Sequence, residues 1–311
     1  MCKKTYSFVI PHHNTPDLLQ RLIDSIPQRE DIEVIVVDDN SDKDKKTNVS
    51  RSDVRVIYID KEHSKGAGHA RNVGIDNATG KWLMFADADD FYMPNFIEVL
   101  DDYKDSDLDM LFYNIESLER DTFLPEEHNR AFIHRKLLND YVNDHKKSDC
   151  LLYLGYGPWR KMLRTEFVKS YGLFFEEIPK DNDHMFALLT SYFAKKWDVD
   201  ERSVYSLIYY AGSISYSKMT KEKCLAHFNT LRRRAEFYKY IGHPEWNKRC
   251  VRGRWFQSGL YWCCKLFRHN RKRESLSALF FYLMNFFKIE KGKNDYVQLV
   301  ESIRNKVENR I

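Results

Sequence analysis

The sequence predicts an α/β protein: a mostly parallel central sheet flanked by helices, with a helical C-terminal extension. Three observations carry this expectation. Short apolar runs alternate with amphipathic helical stretches over residues 6–113, the pattern of a parallel sheet with right-handed crossovers. Two of those runs end in aspartates, at Asp38-Asp39 and at Asp87, Asp89 and Asp90. The charge balance then reverses: residues 1–215 hold 28 Lys/Arg against 38 Asp/Glu, and residues 216–311 hold 22 against 8. An acidic body therefore carries a basic tail that suits an anionic partner.

Tyr6–Ile10 reads as a compact strand stopped by Pro11. Thr15-Pro16 supplies an N-cap and a first-turn proline, after which Leu18, Leu19, Leu22, Ile23 and Ile26 recur at helical spacing. Glu33–Val37 is a second buried strand and Val54–Ile59 a third. His69–Asn77 is helical, and Ala78-Thr79-Gly80 turns into the fourth strand, Trp82-Leu83-Met84-Phe85-Ala86. That unbroken apolar run implies burial on both faces. A helix near Pro94 buries Phe96, Ile97, Val99, Leu100 and Tyr103, and Met110–Tyr113 is a further strand. Residues 114–150 look polar and irregular, with a weak helix over Arg130–Tyr141.

From Leu151 the texture changes. In Gly155-Tyr156-Gly157-Pro158-Trp159 the tryptophan is either a turn-packed core residue or a flat platform for a sugar ring. Asp181-Asn182-Asp183 precedes the apolar helix of Met185, Phe186, Leu188 and Leu189, where acids also serve as caps and dipole partners. Gly212-Ser213-Ile214-Ser215 closes this part. Beyond it, Thr220 caps a helix with Leu225, Phe228, Leu231, Ala235 and Tyr238 on one face, ended by Gly242-His243-Pro244. A second helix covers 245–268, and Arg271-Lys272-Arg273 leads into Leu276, Leu279, Phe280, Leu283, Met284 and Phe287. A basic cluster beside such a stripe suits an anionic membrane surface; the same spacing suits packing on the main domain. The expected domains are 1–215, in halves 1–115 and 116–215, and a basic helical region 216–311.

In a parallel sheet both acidic strand ends lie on one edge, where open α/β sheets bind ligands. Carboxylates clustered there repel one another unless a hard divalent cation joins them, its shell usually completed by substrate phosphates. The six cysteines form no C-x-x-C pair, so reduced thiols are expected. No secretory signal and no 18-residue apolar stretch is visible. Gly66-Ala67-Gly68 lacks the preceding strand of a dinucleotide fingerprint. An Asp-x-Asp phosphatase would need its nucleophile after the first strand, where Pro11-His12-His13 stands. A sugar nucleotidyltransferase would need a Gly-rich basic loop at that place. A catalytically inactive scaffold, holding membrane or nucleic acid through the tail, is the reading from another class. The tail's aromatics follow core-like spacing, so nucleic acid is not expected.

Four blocks carry a family resemblance: Ser7-Phe8-Val9-Ile10-Pro11-His12-His13-Asn14, Val36-Val37-Asp38-Asp39-Asn40-Ser41, Gly68-His69-Ala70-Arg71-Asn72-Val73-Gly74 and Phe85-Ala86-Asp87-Ala88-Asp89-Asp90. Their order and spacing resemble family 2 glycosyltransferases, inverting nucleotide-sugar-dependent enzymes of the GT-A fold. The resemblance makes 1–115 the nucleotide-sugar half and 116–215 the acceptor half. It implies that Pro11, His13 and Asn14 line the nucleotide pocket and that Asp38 or Asp39 accepts the uracil N–H. Arg71 would stand beside the nucleotide, and Asp87 would contact the ribose or sugar. Asp89 would bind Mn²⁺ or Mg²⁺ bridging the diphosphate. The catalytic base would be Asp183, with Asn182 in place of the family's glutamate and Asp181 as the competing carboxylate. Trp159 would seat the acceptor. The implied activity is transfer from a UDP-sugar to a saccharide or lipid-linked acceptor, in capsule, exopolysaccharide or lipopolysaccharide synthesis, by a cytoplasmic enzyme at the inner membrane face.

Overall fold

The computed structural model describes residues 4–47, 49, 51–125, 131–209, 220–260, 280–285 and 295–308. These form two compact units: residues 1–178 with 182–217, and residues 179–181 with 218–311.

The first unit is built on an eight-stranded sheet. Its strands are β1 (Tyr6–His12), β2 (Ile32–Asp39), β3 (Val54–Ile59), β4 (Trp82–Phe85), β5 (Phe91–Tyr92), β6 (Met110–Glu119), β7 (Lys161–Arg164) and β8 (Trp197–Tyr209). Their spatial order is β3-β2-β1-β4-β7-β6-β8-β5. β1 to β4 are mutually parallel, and β6 is parallel to β8. β7 runs against both β4 and β6, and β5 runs against β8. The sheet is thus mostly parallel, as the strand–helix alternation predicts. Trp82, Leu83, Met84 and Phe85 are all at 0% exposure, buried on both faces.

Helices cover the two faces. On one side α1 (Pro16–Ser25) and α3 (Phe96–Asp101) bury Leu19, Leu22, Phe96 and Leu100 with Tyr6, Phe8 and Ile10. On the other lies α2 (Ala67–Asn77), so close to β1 that a Cβ on Gly74 would come within 2.2 Å of Val9 Cγ1. The remaining helices of this unit are α4 (Phe132–Asn143), α5 (Ser148–Leu154), α6 (Thr165–Ser170) and α7 (His184–Phe193).

Three local expectations are corrected. Pro11 does not stop β1. It pairs with Val37 of β2, and β4 has already ended opposite Val9, so no ladder bond needs the missing N–H. Thr15 makes no side-chain cap on α1; its own N–H is instead accepted by His12 Nε2 at 3.1 Å. Residues 114–150 are largely regular, because β6 runs on to Glu119 and α4 and α5 follow. β7 is a strand whose Lys161 is fully buried, its ammonium donating to Ala187 O, Thr190 Oγ1 and Ser191 Oγ in place of water.

In the second unit Thr220 caps α8 (Lys221–Tyr240) by accepting the Lys223 N–H. The helix ends with Gly242 at φ 87°, the Gly242 N–H on Lys239 O and the His243 N–H on Tyr238 O, a Schellman closure. A π-helical segment, Asn247–Gly253, continues as α-helix to 260, and α9 spans Asp295–Glu308. Trp255 donates to Tyr282 O at 2.9 Å, and Phe228, Leu231, Val251, Val300 and Ile303 are buried. Leu225, expected on the apolar face of α8, is 41% exposed, while Phe280, Leu283 and Met284 lie between 50% and 66% exposed. Gly212–Ser215, Arg271–Arg273, Leu276, Leu279 and Phe287 fall outside the described residues. Among those described, no helix is long and apolar enough to cross a membrane, and Cys150, Cys224 and Cys250 form no disulfide.

Candidate active site

Because β1, β2 and β4 are parallel, their carboxyl ends open on one edge of the sheet. The two aspartates that end β2 have different surroundings. Asp38 is fully buried, taking the Ser41 N–H on Oδ1 at 2.8 Å and facing His12 Nδ1 from Oδ2 at 3.0 Å. His12 Nε2 already accepts from Thr15, so Nδ1 carries the hydrogen given to Asp38. Burial lowers the His12 pKa and keeps that imidazole neutral. Asp39 takes the Gly66 N–H on Oδ2 at 2.8 Å, while its buried Oδ1 has no hydrogen-bond partner.

Beside them, the loop after β1 is laced to the loop after β2. The Asn14 N–H donates to Ser41 Oγ, and Asn14 Oδ1 takes the Asp42 N–H. Asn14 itself sits at φ 60°, a left-handed conformation that asparagine tolerates better than most residues. His13 donates from Nδ1 to Asp39 O at 2.9 Å and is exposed, while Pro11 is buried.

The acidic end of β4 divides its labour among three aspartates. Asp87, half-buried, holds Arg71 NH2 on Oδ1 at 2.5 Å. Asp89, also half-buried, anchors its loop by taking Arg21 NH2 on its backbone oxygen at 2.5 Å. Asp90 is buried, with Oδ2 accepting from Tyr205 Oη at 2.8 Å and Oδ1 from the Ile208 N–H at 2.7 Å. It thereby fixes β8. Burial, reinforced by the Asp89 and Asp87 carboxylates, pushes its pKa well up.

Among the described residues, no group of three or more His, Cys, Asp or Glu is arranged to hold a metal ion. The donor set nonetheless fits a hard cation that arrives with its substrate. Asp87 is engaged by Arg71 and Asp90 by β8, and the half-buried Asp89 lies between them in the chain. Mg²⁺ is characteristically held by one or two carboxylates plus substrate phosphates.

Arg71 connects this edge to the loop before α7. It is 6% exposed, its guanidinium lies 5.3 Å over the Phe175 ring, and NH1 donates to Asn182 Oδ1 at 3.0 Å. Asp183 follows, half-buried at the helix start, and its side chain makes no capping hydrogen bond. A hydrogen-bonded cap is therefore not its role, while an acid at this position still complements the helix dipole. Asp181 belongs to the second unit, where its Oδ2 lies 2.5 Å from His227 Nδ1. Trp159, half-buried, stacks on Tyr205 with centroids 6.0 Å apart and 5° between planes. Sequence reasoning missed Tyr205, whose hydroxyl also accepts the Asp87 N–H at 2.9 Å; nothing local marks a tyrosine 118 residues away in sequence.

The family model for glycosyl transferase family 2 matches residues 7–171, more than half of the chain. The chain belongs to that family. This glycosyltransferase is 27% identical over 213 residues to an uncharacterised glycosyltransferase of Methanocaldococcus jannaschii, covering 63% of this chain and 71% of that one. Over 100 residues it is 33% identical to the Campylobacter jejuni GalNAc(5)-diNAcBac-PP-undecaprenol beta-1,3-glucosyltransferase, covering 30% of this chain and only 32% of the relative. Its fold resembles that of S. aureus TarS 1-349, solved in complex with UDP-GlcNAc, at a TM-score of 0.62 and 18% identity, over 97% of this chain and 88% of that one. The GT-A architecture, with its helical C-terminal region, follows from that likeness.

Proposed function

We propose that the protein is a metal-dependent inverting glycosyltransferase moving a sugar from a UDP-sugar to a saccharide or lipid-linked saccharide acceptor. One observation carries the proposal: Arg71 joins Asp87, at the carboxyl edge of the sheet, to Asn182, the residue before Asp183. That link supports reading the donor-binding motif and the candidate base as parts of one site, both within the first unit. The unsatisfied Asp39 Oδ1 is the acceptor that a uracil N–H requires, and Asp38, fully used by His12 and Ser41, is a framework residue. The exposed His13 offers its ring to the base, and Pro11 and Asn14 shape the loop around it. TarS, solved with UDP-GlcNAc and with UDP, supports a UDP-sugar donor, and the C. jejuni relative's name supports a lipid-linked acceptor.

In the chemistry this implies, Asp183 removes the proton from the acceptor hydroxyl on the face opposite the leaving diphosphate. Asp89 would hold Mn²⁺ or Mg²⁺, which neutralises charge on the departing diphosphate. Trp159 seats the acceptor ring, and Asp87 contacts the ribose or sugar. Capsule, exopolysaccharide or lipopolysaccharide synthesis at the cytoplasmic face of the membrane suits such acceptors. The +14 balance of residues 216–311 and the exposed Phe280, Leu283 and Met284 suit an anionic bilayer surface.

The test is Asp183→Asn, assayed for UDP release from UDP-glucose, UDP-galactose, UDP-GlcNAc and UDP-GalNAc with saccharide and lipid-linked acceptors. Transfer is expected to vanish while UDP affinity stays within about threefold, because the base acts on the acceptor alone. Full activity, or loss of UDP binding, would remove the assignment.

A further inference from the structure

The segment before α7 is tied to α2 at three successive points. Gly68 admits Glu176 O so closely that a Cβ would lie 2.1 Å from it. Asn72 makes two bonds with the Phe175 backbone, Nδ2 to O at 2.9 Å and the Phe175 N–H to Oδ1 at 2.8 Å. Arg71 then reaches Asn182 Oδ1. These α2 residues share one helical face by their three- and four-residue spacing. The segment is closed on itself by the Glu176 N–H on Asn182 O at 3.2 Å, and Phe175 stacks on Phe186 of α7 at 3.9 Å between centroids.

The first two ties fix only the segment's start. The third acts on the residue adjoining Asp183 and is itself held by Asp87. Arg71 is 6% exposed, sits over Phe175 and is held by Asp87 and Asn182, so it has little freedom to swing elsewhere. Asn182 offers it a neutral oxygen, and the guanidinium's charge is met by Asp87. The base is in this way referenced to the donor motif through a single buried cation.

Resting on the reading of Asp183 as base, we propose that Asn182 is a positioning residue for transfer: its side-chain oxygen, held by Arg71, sets the backbone from which Asp183 meets the acceptor hydroxyl. Asn182 touches neither substrate. Its loss therefore slows the chemical step without weakening donor binding.

The experiment compares Asn182→Leu with Asn182→Asp, of which only the second keeps an oxygen for Arg71. Each is assayed for kcat and donor KM on the wild type's best donor in the UDP-sugar panel, and for UDP affinity with Mn²⁺ by calorimetry. Asn182→Leu is expected to lose kcat on the order of 10²-fold, the usual effect of displacing a catalytic group by an ångström, with UDP affinity unchanged. Asn182→Asp is expected to recover most of it. Unchanged kcat in Asn182→Leu, equal losses in both variants, or a parallel loss of UDP affinity would overturn the proposal. Asp183→Asn, measured alongside, separates the two ideas: activity retained there refutes the base itself, whereas an inactive Asp183→Asn beside a fully active Asn182→Leu refutes only the positioning role.

Discussion

At the scale of single residues, neighbouring aspartates have separate work. Asp38 and Asp39 are adjacent, yet one is spent on His12 and Ser41 while the other keeps a buried oxygen without a partner. Asp39→Ala should weaken UDP binding by roughly ten- to a hundredfold, the scale of a hydrogen bond to a charged group, with little change in thermal midpoint. Asp38→Ala should do the reverse, lowering the midpoint by stranding His12; calorimetry and thermal melts separate the two. Asp90 gives a pH-dependent prediction. Its pKa is raised in the fold, chiefly by burial, so the native state favours the protonated carboxyl. Its contribution to stability is complete below the unfolded value of about 3.9 and is lost as pH rises through the raised folded value. Urea melts should show wild type losing stability relative to Asp90→Asn across that window, and a gap independent of pH would contradict it.

At the scale of elements, period and punctuation account for what could be read. β1 to β4 and α1 to α3 follow from apolar runs and helical spacing, because each is locally consistent. β7 was hidden because its buried Lys161 is solvated by α7 and not by water. β8 was hidden because its central stretch, Asp200-Glu201-Arg202, is charged; Arg202 there pairs with Asp200 and Asp102. Close approach of elements is equally invisible in one dimension. Gly74 lies mid-helix, where propensity favours alanine, but α2 meets β1 at this point. Gly74→Ala should destabilise by about 1–3 kcal/mol, the usual cost of overpacking, and Val9→Ala in the same chain should recover part of it, as denaturant melts would show.

At the scale of the whole molecule, the candidate site is one edge of one unit, assembled from residues between Pro11 and Asp183. On the proposal that Asp89 supplies the protein's carboxylate to a cation completed by substrate phosphates, nucleotide and metal should bind together. UDP with Mn²⁺ at about 100 times its Kd should stabilise the protein by about 2.7 kcal/mol. UDP in EDTA, or Asp89→Asn with both ligands, should give much less in the same melts. Equal protection with and without metal would count against metal dependence.

The sequence by itself determined the α/β class, the strand ends that meet on one edge, and the family blocks from Ser7 to Asp90, because local patterns encode strand direction and apolar faces. Only the tertiary structure decided which aspartate keeps an open oxygen, that Asp90 serves β8, and that Arg71 ties Asp87 to Asn182. Those are contacts between residues up to 118 positions apart, and no local period specifies which side chain a folded chain brings to another.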